Sequence, residues 1–409
     1  MTFPSTASAT PAAPGFSLKP LMFETFVCTM AMMSFVALAG PISDVIGLAP
    51  WQMGAAVTAA GLAWMIFSRF WGIRSDRHGR RPVLLFGLAG FAVSYVFLSL
   101  FIDFALSARI APWLAFAGIV IGRGAAGIFY AAVPTTCAAL VADKVPPAGR
   151  GAAMAAIGAS SAAGMVVGPG LTGLIAPLGL SLPLYLVAIL PVIALAVLWR
   201  VLPRDVDHAP SPHAPPRLAD PRLRRPMAVA LVAAFSVAVA QIIVGFYALD
   251  RLGLAPGAAA RAAGIALAIV GASLMSAQIL LRRLRWPPAR FIRIGGIVAA
   301  IGFASVALAQ SPGHLWASYA VAAFGMGWIY PSVSALAANA VAPHEQGAAA
   351  GSVAAAQGLG IVIGPLAGTA IYAVSATIPY LLLGLLLPAA TLWASWPATR
   401  NAATVPDSA

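Results

Sequence analysis

This chain of 409 residues predicts an all-α polytopic membrane protein, with twelve transmembrane helices in two six-helix, pseudo-symmetric bundles. Three observations predict it. First, the composition is 61% hydrophobic and 9% charged, whereas soluble domains are about 45–50% apolar and about 25% charged. So few charges cannot clothe a water-soluble globule of this size, and the apolar residues suffice for twelve helices of about 20 residues each. Second, the apolar residues fall into long runs separated by charged or Pro/Gly punctuation. Third, a weak internal repeat relates the two halves of the chain.

The elements follow in order from that punctuation. Span one, 20–46, starts after Lys19 and stops at Gly47; span two, 52–72, starts after Pro50 and ends in a basic loop. Span three, 82–104, begins at Pro82, and span four, 111–141, runs from Ala111-Pro112 to the charges at Asp143 and Lys144. Span five, 149–176, lies between Pro146-Pro147 and Pro177, and span six, 182–202, ends at Pro203-Arg204. The segment 203–225 is polar, proline-rich and about twenty residues long, so it reads as a linker between six helices and six. Span seven, 226–250, runs from Pro226 to Asp250-Arg251, and span eight, 258–282, from Pro256-Gly257 to Arg282-Arg283. Spans nine to twelve occupy 291–310, 313–341, 347–374 and 377–397, bounded by Pro287-Pro288, Pro312, Pro343 and Ser375. The domains expected are a tail 1–19, a bundle 20–202, the linker 203–225, a bundle 226–397 and a tail 398–409. No small-residue cleavage pattern follows a short apolar core near the start, so the first helix is expected to be retained.

The net charge of +13 does not signal nucleic-acid binding, because the basic residues sit between apolar segments and no soluble domain remains to carry a binding face. It signals topology. With the N-terminus inside, 20 of the 24 Lys and Arg residues fall on the cytoplasmic side; Arg109, Arg251 and Arg261 fall outside, and Arg123 lies within a span. Both termini are therefore expected to be cytoplasmic, in an inner (plasma) membrane. Cys28 and Cys137 lie in apolar stretches and behave as small hydrophobes, with no disulfide or metal spacing, so no metal or cofactor is expected.

A shift of 196 residues superposes span five on span eleven. Pro147, Gly151, Ala152, Ala153, Ala159, Gly164, Val166, Gly168 and Pro169 fall on Pro343, Gly347, Ala348, Ala349, Ala355, Gly360, Val362, Gly364 and Pro365. The paired Gly-Pro steps, each with a glycine four residues before, carry most of the weight. Parallel repeats of six spans imply two similar bundles with a site between them near the bilayer midplane.

Three local motifs follow. The loop after span two reads Gly72-Ile73-Arg74-Ser75-Asp76-Arg77-His78-Gly79-Arg80-Arg81-Pro82. In it Gly72, Asp76, Arg77, Gly79, Arg80 and Arg81 match G-x-x-x-D-R-x-G-R-R/K, and here the chain resembles the major facilitator superfamily. The two glycines suit a tight helix–loop–helix turn, and Asp76 can accept bonds from arginines or a helix N-terminus. The resemblance implies a conformational latch in which Asp76 meets the start of span eleven, near Gln346-Gly347-Ala348, when the cytoplasmic ends close. Span four carries Arg123-Gly124-Ala125-Ala126-Gly127, similar to the family's R-x-x-q-G in proton-coupled members, with Ala126 in place of the glutamine. Span five carries Gly164-x-x-x-Gly168-Pro169-x-x-x-Gly173, similar to the packing motif of the drug/proton antiporter branch. Its repeat-mate, Gly360, Gly364, Pro365 and Gly368, suggests a matching close contact in the second half.

Glu24 is the one carboxylate within an apolar span, and such a group is a natural proton carrier. Asp44, Asp103 and Asp250 sit at outer ends as ordinary caps. An arginine inside an apolar helix costs roughly 2.5–3.5 kcal/mol on insertion scales, so Arg123 should face the bundle interior with a partner. Glu24 and Arg123 are the expected proton-coupling residues. Cavity residues are expected at Met32, Phe35, Tyr130, Gln241, Tyr247, Trp328, Tyr330 and Gln357, whose bulky surfaces and few hydrogen-bonding groups suit an amphipathic organic molecule. Tetracycline exporters resemble the chain around Ser75–Leu85 but usually carry an aspartate where this chain has Ser94, which argues against tetracycline. No H-E-x-x-H, phosphate loop or G-x-S-x-G is present, so an enzyme or ATP-driven pump is not expected. The expectation is a monomeric secondary transporter that exports a small amphipathic compound or drug in exchange for protons by alternating access, the proton gradient being its energy source. The alternatives are an exporter dedicated to one metabolite, such as a siderophore or sugar, and a non-transporting receptor with the same fold.

Overall fold

The computed structural model describes residues 17–202, 220–284, 286–342 and 345–395. The tail 1–16, most of the linker (203–219) and the segment 396–409 lie outside these residues. Helices long and apolar enough to cross a membrane number twelve among the described residues, which answers to the twelve expected spans. In lipid every backbone N–H and C=O must be satisfied within the segment, so helices are the available solution.

The first half comprises α1 (Lys19–Ile46), α2 (Pro50–His78), α3 (Arg80–Ala108), α4 (Pro112–Tyr130), α5 (Ala132–Lys144), α6 (Pro147–Ile175) and α7 (Leu182–Val201). The second half comprises α8 (Arg224–Asp250), α9 (Pro256–Leu284), α10 (Pro288–Val306), α11 (Pro312–Asn339), α12 (Gln346–Tyr372) and α13 (Ile378–Ser395). Two boundaries differ from the sequence-based expectation. The fourth span is broken at Ala131 into α4 and α5, because Pro134 has no N–H for the carbonyl of Tyr130 and its ring crowds that turn. The loop expected after span two is a single-residue break: α2 runs to His78, α3 starts at Arg80, and Gly79 between them has φ +98°. That conformation favours glycine, whereas the Arg, Ser and Asp residues before it are compatible with helix. Gly72 lies inside α2 and is not part of the turn. A Cβ there would make only ordinary contact with Thr135, so packing does not require the glycine.

Packing within each half repeats. Gly164 and Gly168 of α6 lie against the α1 backbone at Phe26 and Met30, and Gly360 of α12 lies against the α8 backbone at Leu231 and Phe235. A Cβ at Gly360 would sit 2.7 Å from the Phe235 nitrogen, so only glycine lets the two helices approach this closely. The matching contact expected in the second half is present. Phe86, Val93, Phe97, Leu100 and Phe104 are exposed along one face of α3. Their spacing makes a continuous apolar stripe on the outside of the bundle, where lipid lies.

Twelve alternating spans place both ends of the described chain, with the end of α7 and the start of α8, on one side, hereafter the basic side. The halves meet toward the opposite, far side. Gly40 of α1 abuts Gly245 and Phe246 of α8, Gly173 of α6 abuts Gly264 of α9, and Gly54 of α2 abuts Pro365 and Thr369 of α12. Toward the basic side they part. Gly151 and Gly158 on α6, and Gly347 and Gly358 on α12, have no neighbour within 4 Å of where a Cβ would stand.

Candidate functional site

Glu24 lies about a turn and a half into α1 and is fully buried. Cys137 of α5 donates its thiol to Oε2 at 3.4 Å, while Oε1 has no partner among the described residues. Leu21, Leu84, Leu140, Leu198 and Leu202 form the apolar cluster around Cys137, so Glu24 does not reach out to the surface. The carboxyl is held between helices of the first half with one weak donor and no cation beside it, an environment a neutral acid tolerates and a bare carboxylate does not.

Arg123 is the largest fully buried side chain, at 1% exposure. The break after α4 does not involve it: the guanidinium lies within α4, stacks over the Phe35 ring at 4.6 Å and directs Nη1 to the Met32 sulfur at 3.5 Å. Its Nε has no partner, and no carboxylate pairs with it among the described residues. Aromatic stacking compensates a desolvated cation in part. The two residues expected to act together are thus held apart. Glu24 and Met32, the thioether beside Arg123, are eight residues apart on α1, about 12 Å along the axis.

Between them runs a polar row of which the sequence singled out Tyr130 alone. Thr29 of α1 shares hydrogen bonds with the Tyr130 hydroxyl at 3.2 Å and with Ser161 of α6 at 3.1 Å. Tyr130 is half-buried and packs against the Phe91 ring, tilted by 46° at 5.8 Å between centroids. The available signal was Cys28, four residues on from Glu24, and Thr25 and Thr29, four apart from each other, but threonine in an apolar helix equally bonds its own backbone, and nothing local distinguishes the cases.

The eight expected cavity residues divide evenly. Tyr130, Gln241, Tyr330 and Gln357 are half-buried, and the two amides have no partner among the described residues. The other four are packed away. Tyr247 is fully buried and donates to the Val306 carbonyl at 2.6 Å, tying α8 to α10. Trp328 donates to the Ala277 carbonyl at 2.9 Å and packs against Trp286, Phe291 and Phe324. Met32 and Phe35 cover Arg123. Met32, Tyr247 and Trp328 each find a partner for a polar or polarizable tip on a neighbouring helix, and Phe35 offers its ring face to Arg123 of α4.

The basic motif forms a clamp inside the first half. Arg80, itself buried, donates Nε to Asp143 at 2.8 Å and Nη1 to Ser75 at 3.1 Å, and it pairs with Asp76. This joins the ends of α2 and α5 to the start of α3. Arg81 donates to the Trp199 carbonyl of α7 at 2.8 Å, and Arg77 is exposed. In this conformation Asp76 is bonded to Arg80 and not to the start of α12, as befits a contact expected only when the basic-side ends close.

The far-side seam holds one polar device. Thr58 of α2 donates to the Val362 carbonyl at 2.9 Å and accepts from the Leu366 N–H at 3.2 Å. Those two α12 groups would bond each other in an unbroken helix. Pro365 lies between them, and the hydroxyl from the other half bonds both groups.

The family model for the Major Facilitator Superfamily matches residues 21–315 and 229–408. The chain belongs to this superfamily. Among its relatives in the superfamily, the class G tetracycline resistance protein of Vibrio anguillarum is 27% identical over 345 residues, covering 79% of this chain and 81% of that protein. The inner membrane transport protein YajR of Escherichia coli is 34% identical over 160 residues, or 38% of this chain and 32% of YajR. A bacterial homologue of the human lysosomal transporter Spinster, in an inward-facing and unoccupied conformation, superposes with TM-score 0.74 at 15% identity over 92% of this chain and 96% of that one. A bacterial homologue of the iron transporter ferroportin, in its inward-facing state, gives 0.69 at 15% identity over 93% and 100%. These superfamily members are transporters and resistance proteins, and the chain is a transporter, not an enzyme.

Proposed function

We propose that this protein exports a small amphipathic organic compound or drug in exchange for protons, by alternating access across a bacterial inner membrane with both termini in the cytoplasm. The observation that carries the reading is Glu24: a carboxyl buried in the half that bears the superfamily motifs, without a cation, beside a polar row leading toward the space between the halves. With the basic side cytoplasmic, this structure faces inward. Substrate enters between α6 and α12, where the glycine-rich faces stand apart, and meets Tyr130, Gln241, Tyr330 and Gln357. Glu24 carries the proton, and Thr29, Tyr130 and Ser161 relay the change to the space where substrate sits. Arg123 holds the α1–α4 contact on which that exchange turns. The names of the resistance-protein relatives support export of a drug-like molecule, and the protein acts as a monomer.

The test is flux in proteoliposomes under an imposed pH gradient, with a panel of lipophilic drugs and with siderophores and sugars. The expected result is gradient-dependent transport of at least one lipophilic compound, abolished in Glu24→Gln while membrane insertion and yield stay at the parental level. Unchanged gradient-driven flux in Glu24→Gln refutes the role of Glu24, and uptake confined to a single siderophore or sugar assigns a dedicated exporter.

A further inference from the structure

At the basic side, the start of α3 and the end of α7 enclose a crevice of about 320 Å³ lined by Arg81, Trp199, Arg200 and Leu202. Among the described residues no carboxylate is left to neutralise its charge. The carboxylates that flank the α3 start, Asp76 and Asp143, are both bonded to Arg80. Arg81 makes one bond, to the Trp199 carbonyl, and its buried Nε has no partner. Arg200 is exposed and forms no ion pair among the described residues. Two guanidinium groups thus border one small cavity with most of their donors uncommitted, in a geometry that matches phosphate oxygens.

The surroundings say which phosphate. Trp199 is 62% exposed beside the arginines, and an indole so placed belongs at the headgroup level of a bilayer. Above it, toward the membrane centre, α7 exposes Ile189, Val192 and Ile193 on the face that carries Trp199. This apolar wall begins at the crevice and runs where acyl chains lie. A free anion would satisfy the arginines but use neither the indole nor the wall. A basic pocket between helix ends at this depth fits an anionic lipid headgroup. We propose that the crevice between α3 and α7 binds the phosphate of an anionic phospholipid of the basic-side leaflet, with its chains along the outer face of α7. The placement depends on membrane insertion alone and not on the transport reaction.

The test is native mass spectrometry of the purified full chain in detergent with phosphatidylglycerol, phosphatidylcholine, or phosphatidylglycerol plus inorganic phosphate. The parent is expected to retain phosphatidylglycerol at least about tenfold better than phosphatidylcholine. Arg200→Glu should remove that preference, leaving phosphatidylcholine retention and the unfolding temperature unchanged, since Arg200 makes no ion pair or hydrogen bond among the described residues. Arg81→Lys, which keeps the charge without the fork, should retain an intermediate amount. Equal retention of the two lipids by the parent, or an unaltered preference in Arg200→Glu, overturns the proposal. Displacement of phosphatidylglycerol by millimolar inorganic phosphate also overturns it, because the crevice is then a site for a free anion.

Discussion

Thr58→Val removes a hydroxyl from the far-side seam while keeping the shape of the side chain. In the structure that hydroxyl serves both the Val362 carbonyl and the Leu366 N–H across the boundary between halves. Both groups flank Pro365, whose ring crowds this turn and weakens any bond between them. With valine in place, both groups lose their bond to the hydroxyl, at about 1–3 kcal/mol for the pair. When the halves part on the far side, water reaches the same groups and the cost falls away. The substitution therefore destabilises the far-side-closed state alone and shifts the ratio of states about 5- to 150-fold toward far-side-open. Thr369 of α12 is fully buried beside Gly54 and reports on the seam. A cysteine at Thr369 should react with a membrane-impermeant maleimide applied from the far side at least about fivefold faster in Thr58→Val than in the parent. Thr58→Ser, which restores the hydroxyl, should return the parental rate. Cys28 and Cys137 are buried and stay silent. Equal rates in Thr58→Val and the parent would show that the Thr58 hydroxyl does not weight the states, and the reasoning fails.

Arg123→Ala should lose transport and Arg123→Lys should retain little of it, because an ammonium cannot stack over Phe35 as a planar guanidinium does; normal flux in Arg123→Lys would reduce the role to simple charge. Asp76→Asn should lower turnover and raise basic-side reactivity of a cysteine at Gly347 by about tenfold, a loss of about 1.4 kcal/mol from the proposed latch on the α12 start. Because Arg80 keeps Asp143 at 2.8 Å, the clamp within the first half should survive, with thermal stability close to parental; unchanged Gly347 reactivity alongside reduced turnover would dismiss the latch.

The twelve spans were legible in the sequence because lipid leaves the backbone few choices: an apolar run of about 20 residues must become a helix to satisfy its own peptide groups. The two Gly-Pro repeats were legible for a similar reason. A glycine four residues before another makes a groove whatever lies in it, and the structure fills the grooves at Gly164 and Gly360 with α1 and α8. The burial of Glu24 and Arg123 also followed from their lone positions, but not their partners. Only the tertiary structure decided that Glu24 meets a thiol of α5, that Arg123 meets Phe35 and Met32, and that the two stay apart. It also decided that Tyr247 and Trp328 turn their polar tips to backbone carbonyls of neighbouring helices and leave the cavity. A carbonyl acceptor is present at every residue, so no local pattern marks which one a hydroxyl or indole will reach. Thr58 and Val362 are 304 residues apart in sequence, and their contact depends on how two bundles lean together. The side on which the halves part rests on a balance of a few such contacts, each about as strong as the difference between states, and residue type and spacing do not encode that balance.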